Sequence, residues 1–218
     1  MPEQRITSIE VQQRRSSRRS IFLDGEFALG VDGAVIADLG LRVGQIIAAD
    51  ELQRIVHLEL INKAKERALK LLDFRARSKT ELSRRLKMAG YEDDVIEEVL
   101  GRFQDLGLIN DEQFSDSWIR HRLEGKPMGK TRIKWELRQK GVDNETAEAA
   151  LSQIDGETEY RLAVAAAGKR WEKDNDPDTR ARRRRVASYL QRQGFGWEVV
   201  SRAMNDLCEE NETEDNSK

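Results

Sequence analysis

The chain has 218 residues, which is enough for one large domain or two small ones with a buried core. Charged residues make up 36% of it and prolines number only 3, a composition typical of helical proteins with a large charged surface rather than of compact α/β enzymes. The net charge of −2 excludes a uniformly basic nucleic-acid-binding protein, so any affinity for polyanions must come from local clusters of charge.

Residue types that carry catalysis or bind metals are scarce. Cys208 is the only cysteine, which excludes an internal disulfide and a multi-cysteine zinc site. His57 and His121 are the only histidines, and both lie in charged, helix-like contexts that are typical of surface residues. We therefore predict a protein that is not an enzyme and that binds no metal or cofactor. The polar N-terminal sequence and the lack of a long apolar run predict a cytoplasmic protein without membrane contact.

Residues 1–60 are predicted to form a β-rich N-terminal extension. The stretch "ITSIEVQ" alternates apolar and polar residues, which predicts a strand with Ile6, Ile9 and Val11 buried. Asp24-Gly25 separates two apolar runs, a strong short-range signal of a β-hairpin. A short helix is predicted over residues 34–41.

A basic cluster, "RRSSRR", joins the first predicted strand to the hairpin. It supplies four candidate contact residues: Arg14, Arg15, Arg18 and Arg19. Two interpretations stay open at this point, a mobile loop that binds nucleic acid and a solvated turn.

Beyond residue 60 the pattern is helical and the chain repeats itself. Gly90, Gly141 and Gly194 lie 51 and 53 residues apart. Apolar pairs stand eight and four residues before these glycines: Leu82 and Leu86, Ile133 and Leu137, Val186 and Leu190. Apolar residues four apart share one helix face, and glycine suits the left-handed conformation that ends a helix. Each repeat is therefore predicted to contain three helices, with the glycine after the middle one.

The predicted fold is mainly α, an elongated tandem array of three three-helix repeats after the β-rich domain. The predicted bounds are 61–108 for repeat 1, 109–155 for repeat 2, 156–208 for repeat 3 and 209–218 for an acidic, disordered tail. Capping-box spacing predicts helix starts at Ser78 and Asn110.

The stretch "GKPMGKT", from Gly125 to Thr131, is similar to a nucleotide-binding P-loop. It has only three residues between Gly125 and Gly129, where a P-loop has four before its Gly-Lys-Thr. Alignment of the repeats places it at the start of the middle helix of repeat 2, and a helix rather than a strand is predicted before it. We therefore interpret it as a helix start.

Lysines and arginines concentrate on the first or middle helix of each repeat. Residues 120–140 carry eight Lys/Arg against two Asp/Glu, and residues 180–192 carry six against none. The recurrence predicts a basic stripe that contacts a phosphate backbone or an acidic protein filament, and the alternative is a solvated surface balanced by nearby acids. The candidate contact residues of this stripe are Lys79, Arg84, Arg85, Lys87, Lys126, Lys130, Arg132, Lys134, Arg138, Arg180, Arg182, Arg183, Arg184 and Arg185. The four tryptophans, Trp118, Trp135, Trp171 and Trp197, are predicted to pack within the repeats rather than to stack on bases.

The repeat region resembles the RecX family, regulators of the RecA recombinase. The resemblance covers roughly residues 63–205, and its most specific pieces are "LGLINDEQFSDSWIRHR" and "IKWELRQKGVD". The hairpin "IFLDGEFALGV" resembles the β-rich N-terminal extension of part of that family, and the third repeat matches least well.

The resemblance implies a modulator, mostly an inhibitor, of RecA in DNA repair, recombination and the SOS response, and we expect the protein to be a monomer. Its implied partners are RecA and the RecA filament on single-stranded DNA, and it would damp ATP hydrolysis, co-protease activity and strand exchange. The alternative is a DNA-binding module that competes for single-stranded DNA, with weaker contact to duplex DNA. No individual contact residue is carried over from the family.

Overall fold

The computed structural model describes residues 3–13 and 15–215, and the side chains of Arg15, Cys208 and residues 210–215 lie outside that description. The chain forms two compact units. The first comprises Met1–Arg77 and Leu82–Leu108, and the second comprises Ser78–Glu81 and Ile109–Lys218. Among the described residues, none of the helices is both long enough and apolar enough to cross a lipid bilayer.

The N-terminal part is a four-stranded antiparallel sheet in the order β3-β2-β1-β4. Its strands are β1 (Gln4–Gln12), β2 (Arg15–Leu23), β3 (Glu26–Asp32) and β4 (Ile46–Ile47). The predicted hairpin is confirmed, because Asp24 and Gly25 both have positive φ, 50° and 91°, between paired strands. The two-residue strand β4 is too short to leave a pattern in the sequence.

Only part of the predicted burial in β1 is correct. Ile6 is fully buried and Ile9 is partly buried, but Val11 is 59% exposed. The register of β1 against β2 shifts between Ile6 and Ser8 and again between Val11 and Gln12. These irregularities interrupt the simple alternation of faces on which the prediction rested.

The basic cluster is not a connecting loop. Strand β2 begins at Arg15, so Arg18 and Arg19 lie within the sheet, and Arg14 is outside the described residues. The guanidinium of Arg18 lies 2.7 Å from a carboxylate oxygen of Glu59 and donates a 2.6 Å hydrogen bond to the Gly30 carbonyl. Arg19 donates a 2.6 Å hydrogen bond to the Ser16 carbonyl. The predictions of a mobile loop and of a solvated turn are therefore both wrong for Arg18 and Arg19, which lie in a strand.

The rest of the described chain is helical, as predicted. The helices of the first unit are α1 (Gly33–Leu39), α2 (Ala49–Phe74), α3 (Lys79–Met88) and α4 (Asp93–Asp105), with the first turn of α3 belonging to the second unit. The helices of the second unit are α5 (Asp111–Glu124), α6 (Lys130–Gln139), α7 (Asn144–Ser152), α8 (Gly156–Glu172), α9 (Thr179–Arg192) and α10 (Trp197–Asp215). Helix α2 is continuous across residue 60, where the sequence predicts a domain boundary.

The three glycine-marked repeats are confirmed as equivalent modules. Gly90, Gly141 and Gly194 have φ angles of 87°, 79° and 86°, and each follows a middle helix, α3, α6 or α9. The next amide donates in every case to the carbonyl four residues before the glycine, in the pairs Tyr91 to Leu86, Val142 to Leu137 and Phe195 to Leu190. The six apolar residues that identified the repeats are all fully buried.

The predicted helix starts are also confirmed. Ser78 Oγ accepts a 3.1 Å hydrogen bond from the Glu81 amide, and Asn110 Oδ1 accepts a 2.9 Å bond from the Gln113 amide. Helix α10 corrects the prediction of a disordered tail, because it continues to Asp215. Residues 209–215 are rich in glutamate, which has a high helix propensity, while residues 216–218 lie outside the described residues.

Middle helices meet end to end within the second unit. The Gly129 amide, just before α6, donates a 2.9 Å hydrogen bond to the carbonyl of Gln193, just after α9. A Cβ on Gly129 would lie only 2.2 Å from the Gly194 carbonyl oxygen, so no larger residue fits there. At the other end of α6, Thr80 Oγ1 donates a 2.8 Å bond to the Gly141 carbonyl. The glycine that ends one middle helix thus also contacts the first turn of another middle helix.

A candidate anion-binding surface

The resemblance to a P-loop does not extend to an anion site. Gly129 is the N-cap of α6 and follows a helix, as the repeat alignment predicts. The amide of Lys130 donates a 3.1 Å hydrogen bond to a carboxylate oxygen of Glu159. The amide of Lys79 likewise donates a 2.8 Å bond to Asp111, whose pKa burial raises. The protein's own carboxylates therefore occupy the positions that a phosphate would take at these helix starts.

Many of the candidate basic residues lie against acids of their own unit. Ion pairs of 4.0 Å or less join Lys87 to Asp93, Lys130 to Glu159, Arg132 to Glu136, Lys134 to Glu148, and Arg185 to Asp174 and Asp176. Arg182 packs over the Trp171 ring, 4.1 Å from its centroid, and donates to the Trp171 carbonyl. Nearby acids thus balance part of the charge of the residues in these ion pairs, as the alternative interpretation expects, whereas Arg182 contacts no acid among the described side chains.

A second group is exposed and has no acidic partner among the described side chains. Its members are Arg85, Lys126, Arg138, Arg180, Arg183 and Arg184, whereas the exposed Lys79 lies beside Asp111. Arg84 is also exposed, while the side chain of Arg15 and all of Arg14 lie outside the described residues. Of this group, Arg180, Arg183 and Arg184 lie on one helix, α9.

A surface depression of about 380 Å³ lies on α9 and the neighbouring α8. It is lined by Arg170, Ala181, Arg184, Arg185, Ser188 and Arg192, and we call it the arginine depression. Val186 and Leu190 bury the opposite face of α9 in the core of repeat 3. Ala181 and Ser188 lie seven residues apart on the outer face, so two small side chains share that face with three arginines.

The loop between α8 and α9 holds two of these arginines in place. Asp174 accepts two hydrogen bonds of 2.8 Å from Arg185, and one of its oxygens lies 3.8 Å from Arg170. The paired guanidinium lowers the pKa of Asp174 to about 2 and raises the pKa of Arg185. Asp176 adds a further 2.8 Å bond to Arg185. Arg184 and Arg192 have no acidic partner among the described side chains and stay available to an anion.

The corresponding face of α6 carries an aromatic residue. When the repeats are aligned on their glycines, Trp135 stands where Ser188 stands in α9, and Arg132 stands where Arg185 stands. The Trp135 side chain is 51% exposed, and the Arg132 guanidinium lies 4.7 Å from its ring centroid. The prediction that Trp135 packs within its repeat is therefore wrong.

Of the other three tryptophans, two pack within their repeats and one is exposed. Trp171 is buried, and Trp118 stacks on Phe114 with ring centroids 5.9 Å apart, as expected for packing residues. Trp197 is 66% exposed at the start of α10, so the packing prediction is wrong for it too. No cation lies over its ring in the part of the chain that the structure describes.

Sequence analysis missed four residues of the arginine depression, Arg170, Ala181, Ser188 and Arg192. The seven-residue spacing of Arg185 and Arg192 is a signal that places both on one face of a helix. Nothing in the sequence places Arg170 beside them, because that depends on how α8 packs against α9. Among the described side chains, no cluster of three or more His, Cys, Asp or Glu residues could hold a metal ion.

Four family models match consecutive parts of the chain. They are described as the regulatory protein RecX N-terminal domain, over residues 4–48, and the first, second and third three-helix domains of RecX, over residues 64–103, 110–151 and 157–204. The matches follow the same division into a β-rich part and three helical repeats.

Curated relatives and solved structures agree with these matches. The regulatory protein RecX of Bacillus subtilis is 33% identical over 98% of this chain and 80% of its own length. That of Clostridioides difficile is 29% identical over 93% of this chain and 95% of its own. A crystal structure of regulatory protein RecX aligns over 93% of this chain and 99% of its own, with a TM-score of 0.79 and 26% identity. The RecX structure from Lactobacillus salivarius covers 69% of this chain and 97% of its own, with a TM-score of 0.64 and 25% identity.

Proposed function

The chain belongs to the RecX family of regulatory proteins, and from this we propose that it modulates the RecA recombinase. It binds RecA and the RecA filament on single-stranded DNA and damps ATP hydrolysis, co-protease activity and strand exchange. It acts in the cytoplasm as a monomer, by binding alone and without a cofactor. The family supports the partner, and the arginine depression supports the mode of binding.

The arginine depression is the observation that supports this mode of binding. Arg184 and Arg192 are exposed on α9, and no acid of the chain pairs with either among the described residues. A guanidinium binds a carboxylate or a phosphate through two parallel hydrogen bonds. Arg185, oriented by Asp174, adds a third donor group in a fixed position. A surface built in this way favours an anionic partner, either acidic side chains of a RecA subunit or the phosphates of the strand that RecA coats.

The proposal is tested by ATP hydrolysis of RecA on single-stranded DNA. Increasing amounts of the full chain should lower the hydrolysis rate in a saturable way. A rate that stays constant up to a large molar excess of the chain over RecA would overturn the proposal.

A second candidate function is direct binding of single-stranded DNA, with RecA affected only by competition for the strand. The exposed Trp135 beside Arg132 favours it, because aromatic and guanidinium groups together bind bases and phosphates. Binding to RecA in the absence of DNA separates the two functions. So does salt, since a contact dominated by phosphates loses affinity steeply as the salt concentration rises.

A further inference from the structure

The outer face of α6 differs from those of the other two middle helices. Trp135 lies on the side of α6 opposite Ile133 and Leu137, both of which are fully buried. Thr131, Arg132 and Arg138 are exposed at positions three or four residues from it, so they surround the ring on the same face. The acid nearest in sequence, Glu136, accepts a 2.6 Å hydrogen bond from Arg122, and its other carboxylate oxygen lies 3.9 Å from the Arg132 guanidinium, which is 45% exposed.

The exposed ring of Trp135 is a large apolar surface in water, and a partner that covers it gains the free energy of removing that area from water. Trp135 does not fill the core of repeat 2, which is built from other residues. Its ring is already ordered on one side by Arg132, at 4.7 Å, and 51% of the residue remains accessible. Arg138, six residues after Arg132, adds a second positive charge to the same face with no acidic partner among the described side chains.

We propose that the ring of Trp135 is a stacking platform for one base of a single-stranded nucleic acid, with Arg132 and Arg138 holding the flanking phosphates. Every nucleobase offers a flat aromatic face, so such a platform binds strands with little preference for sequence. The positive charge on both sides favours a polyanion over an apolar peptide or a second copy of this chain. The inference rests on the second candidate function, direct contact with single-stranded DNA.

Trp197 provides a matched control within the same chain. It is even more exposed, at 66%, but it is followed by Glu198 and has no cation over its ring among the described residues. If exposure alone made a tryptophan bind bases, both residues would contribute. If binding of a base also requires guanidinium groups beside the ring, only Trp135 contributes to binding.

The experiment measures the binding of a fluorescently labelled oligo(dT) strand, and of a strand of equal length without bases, by fluorescence anisotropy. Trp135→Ala should weaken binding of oligo(dT) by about 5- to 150-fold, the loss expected for one stacked base. Trp135→Phe, which keeps an aromatic face, should restore most of the affinity. Binding of the abasic strand should not change, and Trp197→Ala should alter neither. Thermal unfolding of each variant, followed by circular dichroism, checks that the fold is retained.

Four other outcomes would each overturn the inference, and each leads to a different conclusion. Unchanged binding of oligo(dT) by Trp135→Ala excludes the platform and leaves the proposed function intact. Equal weakening for oligo(dT) and the abasic strand excludes stacking and assigns Trp135 a structural role. Weakened binding to RecA alone, with oligo(dT) binding unchanged, assigns this face to a protein partner. If the unmodified chain binds no oligo(dT) at all, the second candidate function fails together with the inference.

Discussion

The carboxylate of Asp174 accepts two hydrogen bonds from the guanidinium of Arg185, each 2.8 Å long. Asp174 is one of two buried acids among the described residues, and it lies in the loop between α8 and α9. This pair fixes the loop to the outer face of α9. It also places Arg185 beside Arg184 and Arg192, which have no acidic partner among the side chains that the structure describes.

The pair predicts a defined dependence of stability on pH. The pKa of Asp174 is lowered to about 2 in the folded protein, whereas an aspartate in an unfolded chain titrates near ~3.9. The ionised carboxylate therefore stabilises the fold above about pH 4, and this contribution is lost as the pH falls towards 2. Asp174→Asn should lower the unfolding temperature at pH 7, and its difference from the unmodified chain should shrink between pH 4 and pH 2.

The matched control for this prediction is Asp105→Asn, at the exposed end of α4. It should change the unfolding temperature little at any pH. A difference for Asp174→Asn that stays constant from pH 7 to pH 2 would show that the ion pair is not the source of the effect.

The end-to-end contact of α9 with α6 predicts that Gly129 tolerates no side chain. Its φ of −76° suits any residue, but a Cβ would lie 2.2 Å from the Gly194 carbonyl oxygen. Gly129→Ala should therefore destabilise the second unit by about 1–3 kcal/mol, as overpacking does. Urea unfolding followed by tryptophan fluorescence measures this, since all four tryptophans lie in the second unit.

Gly168→Ala makes the same chemical change in the interior of α8, where a Cβ would meet nothing within 4 Å. It should stabilise the helix by roughly 0.5–1 kcal/mol. Equal effects of the two substitutions would contradict the close contact between the helices.

Glu59 predicts a stability effect in the N-terminal part of the chain. It is only 4% exposed and lies 2.7 Å from Arg18 and 3.3 Å from Lys63. Arg18→Ala removes the better-buried partner and should cost roughly 3–5 kcal/mol, because it leaves a buried charge poorly compensated. Lys63→Ala removes a more exposed partner and should cost at most about 1 kcal/mol.

Amide hydrogen exchange in β2 and β3 measures both substitutions locally. Exchange should become much faster in the Arg18 variant and change little in the Lys63 variant. If both variants exchange at the rate of the unmodified chain, the ion pair with Glu59 does not stabilise the sheet.

The repeats could be predicted because their signals are local. The spacing of Ile133 and Leu137 and the glycine that follows them determine one helix and its end, without reference to distant residues. The exposure of Trp135 was also predictable, because it lies two residues from each of these buried residues and thus on the opposite face. Arg18 could not be assigned, because its partner Glu59 comes from α2, which is far away in the sequence.

At the candidate site, too, contacts between residues far apart in the sequence limit what could be predicted. The arginines of α9 are evident as a run in the sequence, but which of them are balanced by acids is not. Arg185 is held by an acidic loop and Arg182 covers Trp171, whereas Arg184 and Arg192 stay exposed. Such a distinction depends on tertiary contacts that charge counting does not describe.

The most direct test of the account compares two double variants in the inhibition of RecA ATP hydrolysis on single-stranded DNA. Arg184→Gln with Arg192→Gln removes two arginines of the depression. Arg102→Gln with Arg120→Gln removes two exposed arginines elsewhere and changes the net charge equally. The first pair should raise the concentration needed for half-maximal inhibition at least about tenfold, which corresponds to ~1.4 kcal/mol of lost binding, and the second should leave it unchanged. Equal inhibition by the unmodified chain and by both variants would contradict the account.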